Sequence, residues 1–168
     1  MIYFTSFYFT LLVALIARAA PACDEAPEDV YDPTYDDYTF EEQLVLPTLK
    51  VTFDPVYDNP NGNTLSVACS NGPHGLAPKY PYFKDFPDFP YLGGAFDVKW
   101  GSDHCGECWK LTNKKSHRSI YFTAIDHCER GFNIGKHAFI DLNGGTVGGG
   151  TLEAEAIKVP LHHCGHRK

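Results

Sequence analysis

From about Leu49 onward the chain alternates between short apolar-rich segments and clusters of turn-forming residues. LKVTFD, TLSVACS, GAFDVKW, CWKLT, HRSIYFTAID and TLEAEAIKV are rich in β-branched and aromatic residues, and NPNGN, SNGPHG and NGGTVGGG lie between them. Several short strands separated by turn signals predict a β-barrel or sandwich. In TLEAEAIKV, Leu152, Ala154, Ala156 and Val159 give the partial alternation of a strand with one wet face. Lys136–Leu142 predicts one or two helical turns. Between Lys79 and Gly94, KYPYFKDFPDFPYLGG mixes aromatic residues with prolines, which cannot donate to a ladder, so this stretch reads as a long ordered loop. Its rings either pack beneath the loop or stand out as platforms for the apolar faces of sugars.

The N-terminal part has a different texture. Met1 to Ala17 carry no charge, Phe7 to Ala17 form an apolar run, and Ala17-Arg18-Ala19 supplies small residues suited to cleavage. Residues 1–19 therefore read as a secretory signal peptide, since a spanning helix needs about 20 apolar residues. Secretion, with no membrane span, is the expected location. Residues 20–48 follow as an acidic, Tyr- and Pro-rich arm without helical or strand periodicity, expected to be largely disordered. Residues 49–168 are left as one domain.

Charge sharpens this division. The formal net charge of -7 comes from the arm, where nine acidic and no basic residues lie between Asp24 and Glu42; from Lys50 onward twelve acidic residues face thirteen Lys and Arg. A basic nucleic-acid footprint is therefore absent. All six cysteines follow the apolar leader, and in an oxidising compartment an even number favours bridges over free thiols. Spacing alone leaves fifteen pairings open. A zinc site from Cys105, Cys108, His163 and Cys164 is an alternative of the right residue types, but it has a single CxxC and an oxidising destination. A redox pair is disfavoured because CGEC precedes the strand-like WKLT rather than opening a helix. No metal and no cofactor is expected.

LSVACSNGPHGL, FPYLGGAFDVKWGSDHCGECWKLT, SIYFTAIDH, GFNI and the final HHCG, in this order and spacing, closely resemble the cerato-platanin family of small secreted fungal proteins. The resemblance runs from about Lys50 to Gly165. It implies a six-stranded double-psi β-barrel, related to the first domain of expansins and to family-45 endoglucanases, with one or two short helices. It also implies disulfides Cys69–Cys105 and Cys108–Cys164. Two cysteines, Cys23 and Cys128, depart from the family pattern, as does the arm. As an even remainder they are expected to pair with each other.

The resemblance places Asp126, at the end of SIYFTAID, as the aspartate of a groove. Asn133 in GFNI matches the position where family-45 enzymes carry their proton donor. Inverting glycosidases need two carboxyls about 6.5–9.5 Å apart, and an amide has no proton to give at a useful pKa. Asn133 can instead hydrogen-bond sugar hydroxyls or an N-acetyl group. The expected function is thus carbohydrate binding without catalysis, through Asp126, Asn133, Tyr91 and Trp109. Asp126 as a loop-anchoring carboxylate is the competing reading. Asp141 reads as a helix cap or surface residue, and His127 and His137 as surface residues.

Expected partners are chitin or N-acetylglucosamine oligomers and related cell-wall polysaccharide, with no nucleic acid and no membrane. The resemblance adds expansin-like loosening, elicitation of plant defence and a plant surface receptor. A monomer is expected, with self-association through the aromatic loop as an alternative, and a weak glycoside hydrolase using Asp126 as another.

Overall fold

A computed structural model of the chain describes residues 46–165. Six strands close into a barrel: β1 (Leu46–Phe53), β2 (Leu92–Ala95), β3 (Cys108–Asn113), β4 (Ser119–His127), β5 (Phe132–Ile134) and β6 (Thr151–Val159). Around the barrel their order is β1-β5-β2-β4-β3-β6. Two neighbouring pairs, β1 with β5 and β2 with β4, run parallel, and the remaining pairings are antiparallel. This is the double-psi barrel the resemblance implied. One helix, α1 (Lys136–Leu142), follows β5, as the pattern predicted. Its first N–H groups, of Lys136 and His137, donate to the Asp58 carboxylate at 3.0 and 3.2 Å, which satisfies donors a helix start leaves open.

Alternation explains the inner face. On β6, Ala154 and Ala156 are buried while Glu153 and Glu155 are exposed, the partial alternation read from TLEAEAIKV. Val51, Trp109, Leu111, Phe122, Phe132 and Ile134 fill the barrel, each at most 1% exposed. A second cluster of Tyr57, Val67, Phe83, Phe86, Leu92 and Ile125 lies under the aromatic loop. The loop divides its rings: Phe83 and Phe86 are buried beneath it, whereas Tyr82 is 44% exposed.

Three expectations are corrected. TLSVACS is not a strand; its first residues form a 3-10 turn, Thr64–Ser66, because the Asn63 side chain accepts from Leu65 N–H and caps it. Of GAFDVKW only the start belongs to a strand, since β2 ends at Ala95. β5 was not among the predicted strands, because three residues are too few to show a period.

Disulfides join Cys69 to Cys105 and Cys108 to Cys164, with Cα atoms 5.5 and 5.8 Å apart. Cys105 and Cys108 therefore belong to different bridges, which removes the zinc reading. By closing loops of 36 and 56 residues, each bridge contributes roughly 4 kcal/mol through restriction of the unfolded chain. No described cysteine is free, and Cys128 too is disulfide-bonded. Cys23, its expected partner, lies outside the described residues, as do the signal-peptide segment and most of the acidic arm. No helix among the described residues is long and apolar enough to cross a membrane.

Candidate functional site

A row of residues crosses four adjacent strands in register. Thr52 on β1 pairs with Asn133 on β5, Asn133 with Gly94 on β2, and Gly94 with Asp126 on β4. Two strand spacings put the Asn133 and Asp126 backbones about 10 Å apart. Glycine stands between them because nothing larger fits. A Cβ on Gly94 would come within 2.9 Å of the His127 carbonyl oxygen. The row therefore starts at the buried Thr52 and carries two half-buried polar side chains, Asn133 and Asp126, on either side of the buried Gly94.

Asp126 reaches this row through a β-bulge. The β2–β4 register passes from Gly93 opposite Ala124 to Gly94 opposite Asp126, leaving Ile125 as the extra residue. Ile125 is fully buried in the second apolar cluster, and Asp126 beside it is half-buried. Its Oδ1 accepts from the N–H groups of Ala68 (2.9 Å) and His127 (2.8 Å), and its Oδ2 accepts from the Tyr57 hydroxyl at 3.0 Å. Burial first, and then the Asp126 charge, push the Tyr57 phenol well above its ordinary pKa, so it remains a donor. Asp126 thus anchors two loops while bordering the row. These three bonds are those of the loop-anchoring carboxylate that was the competing reading.

Asn133 is half-buried, and its Oδ1 accepts from the Thr52 hydroxyl at 3.1 Å. That bond fixes the amide and leaves its NH2 group as the available donor. The row holds one carboxylate, Asp126, and an amide, Asn133, where the two-carboxyl arrangement of glycosidases would place a second acid.

Trp109 does not belong to the site. It is 1% exposed and packs inside the barrel, its ring 5.1 Å from Phe132 and 6.1 Å from Phe96. The β3 pleat turns Trp109 inward together with Leu111, so it serves the core and cannot be a sugar platform. Tyr91 is also separate from the row. It precedes β2, three residues before Gly94, and its hydroxyl donates to the Asp141 carboxylate. Asp141 lies in the last turn of α1 and does not cap the helix start.

The exposed indole is Trp100, which the sequence reading passed over. It is 65% exposed, yet its Nε1–H donates to Asn71 Oδ1 at 2.9 Å. The ring lies over Gly72, whose φ of +93° favours glycine and where a Cβ would stand 3.3 Å from the ring. An exposed ring held this way loses little freedom on binding. Both of its supporting loops join the Asp126 end of β4: Cys69 N–H donates to the Ile125 carbonyl, and the Val98 carbonyl lies 2.6 Å from His127 Nδ1. Val56, Leu65 and Tyr82 are exposed on the loops through residues 55–82, and the last two line a groove of about 300 Å³ with Asn63 and Asn71. Trp100 ends the strand-like GAFDVKW, and because β2 stops at Ala95 it falls instead in the loop that follows.

One trio among the described residues has metal-ligand spacing: Asp97, His104 and Glu107, with donor atoms within 4.8 Å of one another. Lys158 Nζ sits between the carboxylates, 2.8 Å from Asp97 and 2.8 Å from Glu107. Burial works to lower its pKa, but the bonds and charges of the two acids outweigh that and hold the ammonium above the ordinary lysine value. The trio's cation is thus supplied by the chain itself.

The family model for cerato-platanin matches residues 49–166. Among curated proteins, cerato-platanin of Ceratocystis fimbriata f. sp. platani is 39% identical over 119 residues, covering 69% of this chain and 86% of the relative. Allergen Asp f 15 of Aspergillus fumigatus is 40% identical over 118 residues, covering 69% and 76%. Among solved structures, cerato-platanin 1 from M. perniciosa superposes with a TM-score of 0.66 at 41% identity, covering 69% of this chain and 98% of that one. The solution structure of the fungal elicitor cerato-platanin gives 0.63 at 37% identity, covering 68% and 95%.

Proposed function

The chain belongs to the cerato-platanin family, and on that premise we propose that it is an extracellular, non-catalytic binder of neutral cell-wall saccharide, chitin or N-acetylglucosamine oligomers first. The observation that carries this reading is the in-register row Thr52–Asn133–Gly94–Asp126, in which the half-buried side chains of Asn133 and Asp126 flank the buried Gly94. A sugar chain laid across the row meets the Asn133 amide donors, and Trp100 offers its apolar face a fixed platform at the Asp126 end. The amide of Asn133, which has no proton to give at a useful pKa, supports binding over turnover. Loosening of polysaccharide networks and elicitation of plant defence follow as further parts of the proposal, the second because one similar structure is titled a fungal elicitor.

Titration of the protein with an N-acetylglucosamine hexamer tests the reading. Trp100→Ala should weaken binding by about tenfold, the value of one buried aromatic face, and Asn133→Ala by about three- to tenfold, both with unchanged melting temperature. Unaltered affinity in both variants, or release of reducing ends from the hexamer, refutes it.

A further inference from the structure

A second concave region lies away from the row, beside the turn that joins β3 to β4. Asn113 to Arg118 read NKKSHR, and Lys114, Lys115, His117 and Arg118 are all exposed. None of the four forms an ion pair with an acidic side chain among the described residues. Unpaired charges on a surface turn are ordinarily solvated and mobile. Here the turn is fixed. Asn113 Nδ2 and Ser116 Oγ each donate to the Leu142 carbonyl at 3.2 Å, and Arg118 Nε donates to the Asp141 carbonyl at 2.8 Å. The Asn113 Oδ1 accepts from Lys115 N–H at 2.8 Å, and His117 takes a left-handed φ of 56°. The end of α1 thus holds a rigid basic turn.

Arg118 borders an open cleft of about 580 Å³, together with Asp88, Tyr91, Tyr121, Asp141 and His163. With Nε committed to Asp141 carbonyl, the guanidinium keeps its two terminal amino groups as a fork that matches a carboxylate. One wall is the Tyr121 ring, stacked on His163 at 5.1 Å and 13°. Two acids share the cleft, and each is engaged. The Asp141 carboxylate accepts from Tyr91, and Asp88 Oδ2 accepts from Thr123 Oγ1 at 2.7 Å, with burial pushing the Asp88 carboxyl up to about 6. On the far side of the turn, Lys115 shares another cavity with Lys50 and the exposed Glu153.

We propose that this cleft binds a carboxylated saccharide, a uronic-acid chain, with Arg118 taking the carboxylate and Lys114, Lys115 and His117 meeting neighbouring charges along the chain. A saccharide fits better than an anionic lipid surface. The region is concave with a stacked aromatic wall, and of the large apolar side chains exposed among the described residues Leu161 alone stands on an element bordering the cleft, whereas Val56, Leu65, Tyr82 and Trp100 stand on other loops. The site is separate from the neutral-sugar row, so either can fail without the other.

Calorimetric titration of the full-length protein at pH 5 and low salt, with a galacturonic acid trimer and a galactose trimer, tests it. The uronate should bind at least about tenfold more tightly than the neutral trimer, as a charge-assisted pair allows, and the preference should fade as salt rises. Arg118→Gln should abolish the preference, Arg118→Lys should restore part of it, and Lys114→Gln with Lys115→Gln should flatten the salt dependence. Asn133→Ala should leave uronate binding unchanged. Equal affinity for the two trimers, or full uronate binding in folded Arg118→Gln, overturns the proposal. So does binding to phosphatidylserine vesicles that the uronate trimer cannot displace.

Discussion

The row at Gly94 and the cleft at Arg118 are built by opposite means. The row is a product of sheet register: hydrogen-bonded strands bring Thr52 beside Asn133 and hold Asn133 and Asp126 on either side of Gly94, a position too crowded for a side chain. The cleft depends on side chains that reach across loops, Arg118 to Asp141, Ser116 to Leu142 and Tyr91 to Asp141. One carries a single carboxylate, Asp126, with an exposed aromatic ring on a neighbouring loop, whereas the other gathers Arg118, Asp88 and Asp141 around one cleft. Register fixes a position through many backbone bonds at once, whereas a loop-built site rests on a few long side chains. The row should therefore survive single substitutions that undo the cleft.

The largest test of that contrast removes the Cys108–Cys164 bridge. Cys164 closes the 3-10 turn Leu161–Cys164 that carries His163 to Tyr121. Cys108→Ser with Cys164→Ser should lower unfolding free energy by roughly 4 kcal/mol, read by denaturant titration. At temperatures where the variant remains folded, hexamer binding should persist while uronate binding falls. Equal loss of both would show the two regions to be one cooperative unit.

A second test uses Asp88. Its folded pKa, about 6, exceeds the model-compound value of 3.8, chiefly through burial. The unfolded chain therefore releases this proton first as pH rises. The group's stabilising contribution is full below about pH 3.8 and is lost as pH climbs through 6, for a total of about 3 kcal/mol as an order of magnitude. Comparing denaturant midpoints from pH 4 to 7 should show this slope in the wild type and a smaller one in Asp88→Asn. Identical slopes would remove Asp88 as its source.

The smallest effect sharpens the role of Asp126. Tyr57→Phe removes one of its three bonds and should destabilise by about 1.5–3 kcal/mol, as for a hydrogen bond to a charged group, with hexamer affinity unchanged. Asp126→Ala loses all three, so its melting temperature should drop further than that of Tyr57→Phe. A variant of Asp126 that melts like wild type would show that the carboxylate anchors nothing.

Much of the barrel was legible before the structure. β1, β4 and β6 announced themselves through β-branched and alternating residues, and Lys136–Leu142 already read as one or two helical turns. The placing of Asp126 and Asn133 on either side of Gly94 could not be read from periodicity; resemblance to the family named the two residues, and the register supplied the glycine between them. The two tryptophans show the limit of local reading. Trp109 follows a cysteine in a strand and Trp100 precedes a glycine in a loop, yet which ring faces water depends on the pleat and on Asn71, 29 positions away. Contacts such as Tyr91 with Asp141 join residues 50 apart and leave no trace in either neighbourhood.

The extra residue in β4 gives that strand two allegiances. Up to Ala124 its inward residues belong to the barrel interior, and Ile125 belongs to the cluster beneath the aromatic loop. A single strand thus crosses a boundary between two separately packed bodies of apolar side chains. Amide hydrogen exchange should record that boundary as a step in protection between consecutive residues, with Ala124 following global unfolding and Asp126 and His127 following local opening of the loops. A frontier of this kind lets the loop layer loosen around a ligand while the barrel keeps its closure.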